Sequence, residues 1–430
     1  MSAAFLIASA AGLALVLNGR WAVRYPLVVV PAFFASWLTI ELAPQVFVLH
    51  WIGVAVFVAL GGAAEWPGWI ALVLSALSGW LLWGMVREAF RVRHTLDDAL
   101  MAVIGPAAAH APVVWKEFAF PFKLWSHRIR RERNLPYTVG GGRRLQLDVW
   151  HDEQAAEGRP CLLYVPGGAW TVGISNKNHQ GKPLLIEMAS RGWVCFSMNY
   201  PVSPRATFPD HIVAVKRAIA WIREHAGEYG GDARFLMVSG NSAGGHLSSL
   251  AALSAGDKVL QPGFEEADTS VQAAAPLYGV YDFTGSMLDE LPRRLRRHKK
   301  GFLRFIERSV VKRKLDKERA FFESVSPWHR IGVHAPPFFV IHGAMDTLAP
   351  VEEARAFVER LRGASDAPVI YAELAGTQHA FDQFLSIRAL YAVRAIARFG
   401  DWAYETWKIT GVARPEQPSD QEHRSPTSPA

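Results

Sequence analysis

The first 86 residues of this 430-residue chain contain only four charged residues, Arg20, Arg24, Glu41 and Glu65. Four apolar stretches follow one another in this segment, each close to the length that an α-helix needs to cross a bilayer. The stretches are Ala3–Leu17, Tyr25–Ala43, Gln45–Ala63 and Trp69–Val86. Residues 1–86 are therefore predicted to form a transmembrane helical anchor with three or four spans.

A cleaved secretory leader is the alternative for the first stretch, because that stretch is short and precedes small residues. Three further apolar stretches argue against this alternative. Nine Lys and Arg residues between Arg87 and Arg133 favour a cytoplasmic position for the rest of the chain. Arg20 and Arg24 would then face outside if there were four spans, whereas three spans would bring both basic clusters to the same side. We expect a multi-pass protein of the cell membrane.

After a Pro- and Arg-rich linker, 87–136, the pattern changes to alternating strands and helices. The stretch 137–150 predicts a hairpin, because Leu145, Leu147 and Val149 alternate with polar residues. Continuous apolar runs such as CLLYVPGG, WVCFSMNY, RFLMVSG and PFFVIHG are typical of buried parallel strands. Helical patterns between them predict an α/β domain over 137–410, with a mostly parallel sheet covered by helices on both faces. The polar tail 411–430 is expected to be disordered.

The sequence Gly240-Asn241-Ser242-Ala243-Gly244 fits G-x-S-x-G and lies between an apolar strand and an apolar helix. This context is the one in which a sharp turn holds a serine nucleophile at its apex. Small residues beside the serine leave room for close packing of the strand against the helix. A tight structural turn is the alternative, and the residues elsewhere in the chain decide between the two.

A nucleophilic serine needs a general base, an acid that orients the base, and donors for the oxyanion. Asp346 follows the apolar strand VIHG, and His379 lies in a loop after the next strand. The order Ser242, Asp346, His379 is the one expected for this kind of fold. Upstream, the strand CLLYV ends in PGGAW, where backbone N–H groups could form an oxyanion hole. These four parts favour a catalytic serine over a structural turn.

Other polar residues near these motifs have alternative interpretations. His246 and His342 each adjoin a motif, and we expect them to pack or to form structural hydrogen bonds. Asp382 follows His379 by three residues and could be its partner, but Asp346 is preferred because the end of a strand holds a carboxylate more rigidly. Cys161 and Cys195 lie in apolar runs and are expected to be buried thiols rather than a disulfide or metal site.

The blocks PGGAW, NYPVSPRATFP, GNSAGGHLSSLAAL, HGAMDTLAP and GTQHAFD, in this order, resemble the hormone-sensitive-lipase-like carboxylesterases of the α/β-hydrolase superfamily. The resemblance covers about residues 137–400, and with the apolar N-terminus the chain is similar to actinobacterial membrane-associated lipases and esterases. It implies that Ser242 is the nucleophile, His379 the base and Asp346 the orienting acid. It also implies oxyanion donors from Gly167, Gly168 and Ala243. Pro166 and Ala169 depart from the usual His-Gly-Gly-Gly block.

The net charge of +7 is concentrated in one segment. Between Asp289 and Arg319 there are 13 Lys and Arg against 5 Asp and Glu residues. This segment lies in an insertion, about 284–325, where the fold commonly carries a cap over the active site. An apolar stripe of Phe302, Leu303, Ile306 and Val310 could pack on the core, or it could enter the membrane interface while the basic residues meet anionic headgroups. Nucleic acid is not the expected partner.

The chain is therefore predicted to be a membrane-anchored serine carboxylesterase or lipase that acts on ester or lipid substrates without a cofactor or a metal. An amide or formamide hydrolase with the same three residues is the alternative within enzymes. A catalytically inactive membrane scaffold is the alternative outside them.

Overall fold

The computed structural model describes residues 1–23, 28–105, 112–138, 145–171, 177–287 and 293–411. Several predicted features lie wholly or partly outside these ranges. They are Arg24, the turn of the expected hairpin at 139–144, the beginning of the basic segment at 288–292, and the tail from 412 onwards.

Eight strands form one sheet in the order β1-β2-β4-β3-β5-β6-β7-β8. β1 and β2 are antiparallel to their neighbours, and the pairs from β4 to β8 are parallel. The strands are β1 (Ile129–Pro136), β2 (Gln146–Asp152), β3 (Arg159–Val165), β4 (Val194–Met198), β5 (Gly231–Asn241), β6 (Ala273–Leu277), β7 (Phe338–Gly343) and β8 (Val369–Leu374). The prediction of a mostly parallel sheet is confirmed.

The helices of the α/β domain cover both faces of this sheet. On β3, Leu163 and Val165 face one core while Leu162 and Tyr164 face the other, as the two-residue period of a strand requires. The helices are α6 (Lys182–Ser190), α7 (Asp210–His225), α8 (Ala243–Ala252), α9 (Arg293–Phe305), α10 (Arg319–Ser324), α11 (Val351–Ala364) and α12 (Ile387–Thr410). α7, α8 and α11 contribute to one core, and α6 and α12 to the other.

Four apolar helices precede the sheet: α1 (Ser2–Arg20), α2 (Val29–Glu41), α3 (Ala43–Ala59) and α4 (Trp66–Ile104). By length and composition, α1 and α4 could each cross a membrane. α2 and α3 meet at an angle of 89° and could together form one broken span or a re-entrant loop. Within the described ranges the helices therefore allow two or three crossings, because α2 and α3, with 13 and 17 residues, are each too short to be counted as a span alone.

The segment 87–136, expected to be a linker, is largely structured. α4 continues for 18 residues beyond Val86, and its Val92, Leu96 and Leu100 are buried in the same core as α12. A short helix α5 (Trp115–Phe118) follows, and then β1. The hairpin therefore begins at Ile129 rather than at Tyr137. The sequence pattern did not reveal its first strand, because the charged stretch IRRERNLP pairs through its backbone and lacks the apolar alternation of a half-buried strand.

Candidate active site

Ser242 lies between the end of β5 and the first residue of α8, with backbone angles φ 53° and ψ −117°. Non-glycine residues rarely adopt a positive φ, so this turn is strained. Its neighbours explain how the chain accommodates it: a Cβ at Gly240 would lie 2.5 Å from the carbonyl oxygens of Val165 and Gly244. The glycine at this position therefore permits the close approach of β3, β5 and α8 that presents the Ser242 side chain at the turn.

His379 lies between the two other predicted site residues. Its Nε2 is 2.9 Å from Ser242 Oγ, and its Nδ1 is 2.6 Å from Asp346 Oδ2. Asp346 follows β7 and His379 follows β8, so both side chains come from the carboxyl ends of neighbouring parallel strands. The structure thus brings together three residues that are up to 137 positions apart in the chain.

Asp346 is fully buried and accepts several hydrogen bonds. Its Oδ1 accepts the backbone N–H groups of Leu348 and Ala349, each at 2.8 Å. Burial disfavours the charged form, but the adjacent His379 and the hydrogen bonds from His342 and His379 outweigh it and hold the pKa of Asp346 well below its usual range. Asp346 is therefore a fixed anion that faces Nδ1 of His379.

The two other histidines near the motifs have structural contacts, as expected. His246 stacks on Phe283 with a ring separation of 4.3 Å, and its Nε2 lies 2.9 Å from the carbonyl oxygen of Val325. His342 Nε2 lies 2.9 Å from the carbonyl oxygen of Ala349 and 3.3 Å from Asp346 Oδ2. His342 thus supports the position of Asp346, whereas the side chain of His246 is directed away from the site.

Asp382 belongs to a different hydrogen-bond network. Its Oδ1 accepts the hydroxyl of Tyr278, and its Oδ2 lies 3.4 Å from the hydroxyl of Tyr164. Burial raises the pKa of Asp382, with smaller opposing effects from the hydrogen bonds of Tyr278 and Gln383. Tyr278 also receives a hydrogen bond of 2.9 Å from Asn241 Nδ2, and its ring lies 4.5 Å from that of His379. Asp382 therefore holds the side chain of Tyr278, which lines the cavity, and does not pair with His379.

Sequence reasoning missed Tyr278, Asn241 and Gln180. Tyr278 directly follows β6, and Asn241 occupies the variable position before Ser242. A polar residue at the carboxyl end of a parallel strand is a signal that could have identified both. Gln180 comes from a loop that no local pattern connects to the site.

The turn after β3 is held by side chains of this network. The N–H of Gly167 donates to Asn241 Oδ1 at 2.7 Å and to Gln180 Oε1 at 2.8 Å. Gly167 was expected to supply an oxyanion donor, but in this conformation its N–H is already used to fix the turn. Gly168 and Ala243 also lie beside Ser242, and φ values of 117° and 53° at Gly168 and Ala169 shape the rest of the turn.

A cavity of about 1140 Å³ opens at Ser242 and His379. One side is formed by the turn after β3 and by Tyr278, a second by α9, and a third by side chains of α2. A drug-sized ligand typically occupies about 300–1,000 Å³, so this cavity can hold more than a short acyl group.

The basic helix α9 is attached to the α/β core. Lys299 Nζ is 2.6 Å from Glu353 Oε2 and 2.7 Å from the carbonyl oxygen of Asp282, in a buried site. Leu303, Ile306 and Val310 are buried in the core, and Phe302 packs against it. The burial of Leu303, Ile306 and Val310 favours the alternative in which this stripe packs on the core, because most of its apolar surface is covered by the domain.

Cys161 and Cys195 are buried, free thiols on β3 and β4. Burial raises the pKa of both thiols. Within the described ranges, no group of three His, Cys, Asp or Glu side chains could hold a metal ion.

Comparison with known proteins agrees with this fold. Residues 147–361 match the BD-FAE family. The probable carboxylic ester hydrolase LipM of Mycobacterium tuberculosis is 49% identical over 79% of this chain and 78% of its own length. Esterase LipC of the same organism is 44% identical over 70% of this chain and 71% of its own length.

A solved esterase from Thermogutta terrifontis, Est2 with bound butyrate, is 25% identical, with a TM-score of 0.51 over 66% of this chain and 96% of that chain. The chain belongs to the BD-FAE family of α/β-hydrolases and is a carboxylic ester hydrolase.

Proposed function

We propose that Ser242, His379 and Asp346 are the catalytic residues of a membrane-anchored serine esterase. The observation that carries this proposal is the continuous set of contacts in which His379 Nε2 lies 2.9 Å from Ser242 Oγ while Nδ1 lies 2.6 Å from Asp346. A hydrogen bond from Nδ1–H to a carboxylate fixes the tautomer in which Nε2 can accept a proton. His379 is thus oriented as a general base toward Ser242.

In the proposed reaction, Ser242 Oγ attacks the ester carbonyl carbon while its proton moves to His379 Nε2. The tetrahedral intermediate collapses, the bond to the alkoxy oxygen breaks, and the alcohol leaves with the proton from His379. A water molecule then gives a proton to His379 and attacks the acyl-serine. The second tetrahedral intermediate collapses, the bond between the acyl carbon and Ser242 Oγ breaks, and Oγ takes the proton back from His379 Nε2. The carboxylic acid leaves and Ser242 is restored.

The oxyanion of each intermediate needs backbone N–H donors. The N–H of Ala243, at the start of α8, makes no hydrogen bond within the described ranges. We propose Ala243 and Gly168 as donors, as the resemblance implied, and add the N–H of Ala169, which lines the cavity next to Ser242. Gly167 is removed from the set because Asn241 and Gln180 accept its N–H.

We propose three membrane crossings, formed by α1, α4 and the bent pair of α2 and α3. Arg20, at the end of α1, lines the same cavity as Arg87 and Arg91 of α4. Arg20 and the first residues of the second basic cluster therefore occupy the same end of the helical region. Lys and Arg favour the cytoplasmic side, so this arrangement supports a cytoplasmic catalytic domain.

Labelling of intact and permeabilised cells with a fluorophosphonate tests the nucleophile and the topology together. We expect wild type to be labelled only after permeabilisation when the probe cannot cross the membrane, and Ser242→Ala to remain unlabelled. Labelling of folded Ser242→Ala would contradict the assignment of the nucleophile, and labelling of wild type in intact cells would contradict the cytoplasmic side. Hydrolysis of p-nitrophenyl esters compared with aryl formamides separates the ester hydrolase from its amide-hydrolysing alternative.

A further inference from the structure

The cavity at Ser242 has two walls of different chemistry. The wall formed by α2 consists of apolar and aromatic side chains: Val29, Val30, Phe33, Phe34 and Trp37. The opposite wall, formed by α9, carries three cationic side chains: Arg297, Lys300 and Arg304. No Asp or Glu is found among the residues that line the cavity in the described part of the chain. The cavity is therefore amphipathic, with a net positive wall.

The α2 wall is fixed to the loop that carries His379. Trp37 Nε1 donates to the carbonyl oxygen of Ala380 at 2.9 Å, and Gln378 Nε2 donates to Ser36 Oγ at 3.3 Å. The ring of Phe33 meets the ring of His379 edge-on, with 6.3 Å between centroids. α2 thus contacts the catalytic loop at His379 and at both of its neighbours. An acyl chain lying along α2 would be held in a defined position relative to Ser242 and His379.

The apolar wall is open to the surroundings of the N-terminal helices. Val30 and Phe34 line the cavity although about half of their surface is exposed, 54% and 50%. α2 is also one half of the bent, apolar helix pair that could enter a membrane. A long acyl chain could therefore pass from the bilayer into the cavity without exposure of its apolar surface to water, which would cost about 25 cal/mol per Å².

The cationic wall has charges available for a ligand. Arg297, Lys300 and Arg304 follow one another at intervals of three and four residues and so share one face of α9. All three are exposed, and the described part of the chain supplies no ion pair to any of them. Lys299, on a different face, is instead paired with Glu353. Guanidinium and ammonium groups form strong, charge-assisted hydrogen bonds with phosphate.

We propose that the physiological substrate class is a membrane-resident ester with a long acyl chain and a phosphate group on its alcohol part. This inference rests on the proposed Ser242 mechanism. The acyl chain lies against α2, and the phosphate contacts Arg297, Lys300 and Arg304. Hydrolysis consumes one water and yields a fatty acid and a phosphorylated alcohol, which leaves toward the aqueous side.

The full chain, purified in a neutral detergent, can be tested on two matched substrates in mixed micelles. 1-Palmitoylglycerol 3-phosphate and 1-palmitoylglycerol contain the same ester and differ by the phosphate. We expect wild type to prefer the phosphorylated ester in kcat/KM. The triple variant Arg297→Gln, Lys300→Gln, Arg304→Gln should reduce this preference about tenfold, as expected for three solvated charge contacts. The matched control, Arg308→Gln, Lys314→Gln, Lys317→Gln, removes three exposed charges outside the cavity and should keep the preference.

A second pair of measurements tests the apolar wall. Val30→Ala with Phe34→Ala should lower the ratio of activity on p-nitrophenyl palmitate to that on p-nitrophenyl butyrate several-fold. Leu49→Ala with Ile52→Ala, exposed on α3 and outside the cavity, is the matched control and should leave the ratio unchanged. Val30 and Phe34 are half exposed, so this variant is less prone to unfold than one at the buried Phe33.

The outcomes separate the inference from the proposed function. Loss of the phosphate preference in the α9 triple variant but not in its control supports the inference. An equal kcat/KM for the two glycerol esters in wild type, or the same preference in both triple variants, would overturn it. In either case, the proposed serine mechanism is still supported if wild type hydrolyses p-nitrophenyl butyrate and Ser242→Ala does not. Activity that survives in Ser242→Ala would instead remove the mechanism itself.

Discussion

The indole Nε1 of Trp37 donates a 2.9 Å hydrogen bond to the carbonyl oxygen of Ala380, the residue after His379. The two residues are 343 positions apart, one in an apolar N-terminal helix and the other in the loop of the general base. Further contacts join the same elements, since Ser386 Oγ donates to Glu41 at 2.7 Å and Arg388 donates to the carbonyl oxygen of Ile40 at 3.0 Å. The N-terminal region therefore lines the candidate active site in addition to its proposed role as an anchor.

Trp37→Phe is predicted to reduce kcat/KM on p-nitrophenyl butyrate by about three- to tenfold. The phenyl ring can keep the contact with Phe384, but the carbonyl of Ala380 loses its donor, and a lost hydrogen bond typically costs about 0.5–1.5 kcal/mol. Steady-state kinetics in detergent measure this effect. Trp80→Phe changes an exposed indole of α4 and should retain full activity. Equal kinetics for the two variants would contradict a role for Trp37 in positioning the His379 loop.

Asp346→Asn is predicted to lower kcat by about 10⁴-fold, because the amide would favour the wrong imidazole tautomer of His379. Asp382→Asn should have a much smaller effect, since the carboxylate of Asp382 contacts Tyr278 and Gln383 instead of His379. Single-turnover release of p-nitrophenol compares the two variants directly. A larger loss in Asp382→Asn would mean that Asp346 is not the orienting acid.

Asn241→Ala is predicted to lower kcat about 10- to 100-fold with little change in KM, which is less than the loss of about 10²–10³ that follows removal of an oxyanion-hole donor itself. The substitution removes one of the two acceptors of the Gly167 N–H and the Nδ2 donor to Tyr278, so the turn after β3 loses part of its support. Ser248→Ala removes a buried hydroxyl of α8 that bonds only within its helix, and it serves as the control. A KM effect alone would argue against a role in stabilising the transition state.

Acidification is predicted to destabilise the α/β domain through His246. Burial, opposed by the hydrogen bond to Val325, lowers the pKa of His246 to about 3, whereas an unfolded histidine has a pKa of about 6.5. Between these values the unfolded chain binds a proton that the folded chain does not, so stability falls as the pH decreases. From pH 7 to pH 5 this amounts to about 2 kcal/mol.

The corresponding measurement is the fall in Tm between pH 7 and pH 5. His246→Gln keeps an N–H donor for Val325 and should show a smaller fall than wild type. Some fall should persist, because burial also lowers the pKa of His211, to about 4. His334→Gln, at an exposed position, should behave as wild type. An unchanged fall in His246→Gln would show that the histidine does not contribute.

The sequence predicted the parts of the site that lie at strand ends. Ser242, Asp346 and His379 follow β5, β7 and β8, and consecutive strands of a parallel sheet bring their carboxyl ends to one edge. The apolar runs of the strands and the small residues around Ser242 are local signals. The α/β-hydrolase fold and the juxtaposition of these three side chains were therefore predictable without a structure.

Other features depend on contacts that no local pattern contains. The apolar stripe of α9 indicated a buried face but not its partner, which is the core that also holds the pair of Lys299 and Glu353. The use of the Gly167 N–H depends on Asn241 and Gln180, from two other segments. The packing of α2 on the His379 loop likewise joins distant parts of the chain.

α4 is one continuous helix of 39 residues that packs first on α1 and then, past Val86, on α12 and β8. A straight helix of this length extends roughly 58 Å, so it forms a rigid connection between the N-terminal helices and the α/β domain where a linker was expected. The length of the helix also fixes the orientation of the α/β domain about the helix axis. Inserting one residue near Arg87 would rotate the part of the chain beyond it by about 100° about that axis. Relatives that lengthen or shorten this helix must therefore do so by whole turns, or re-form the contacts of α2 with the catalytic loop.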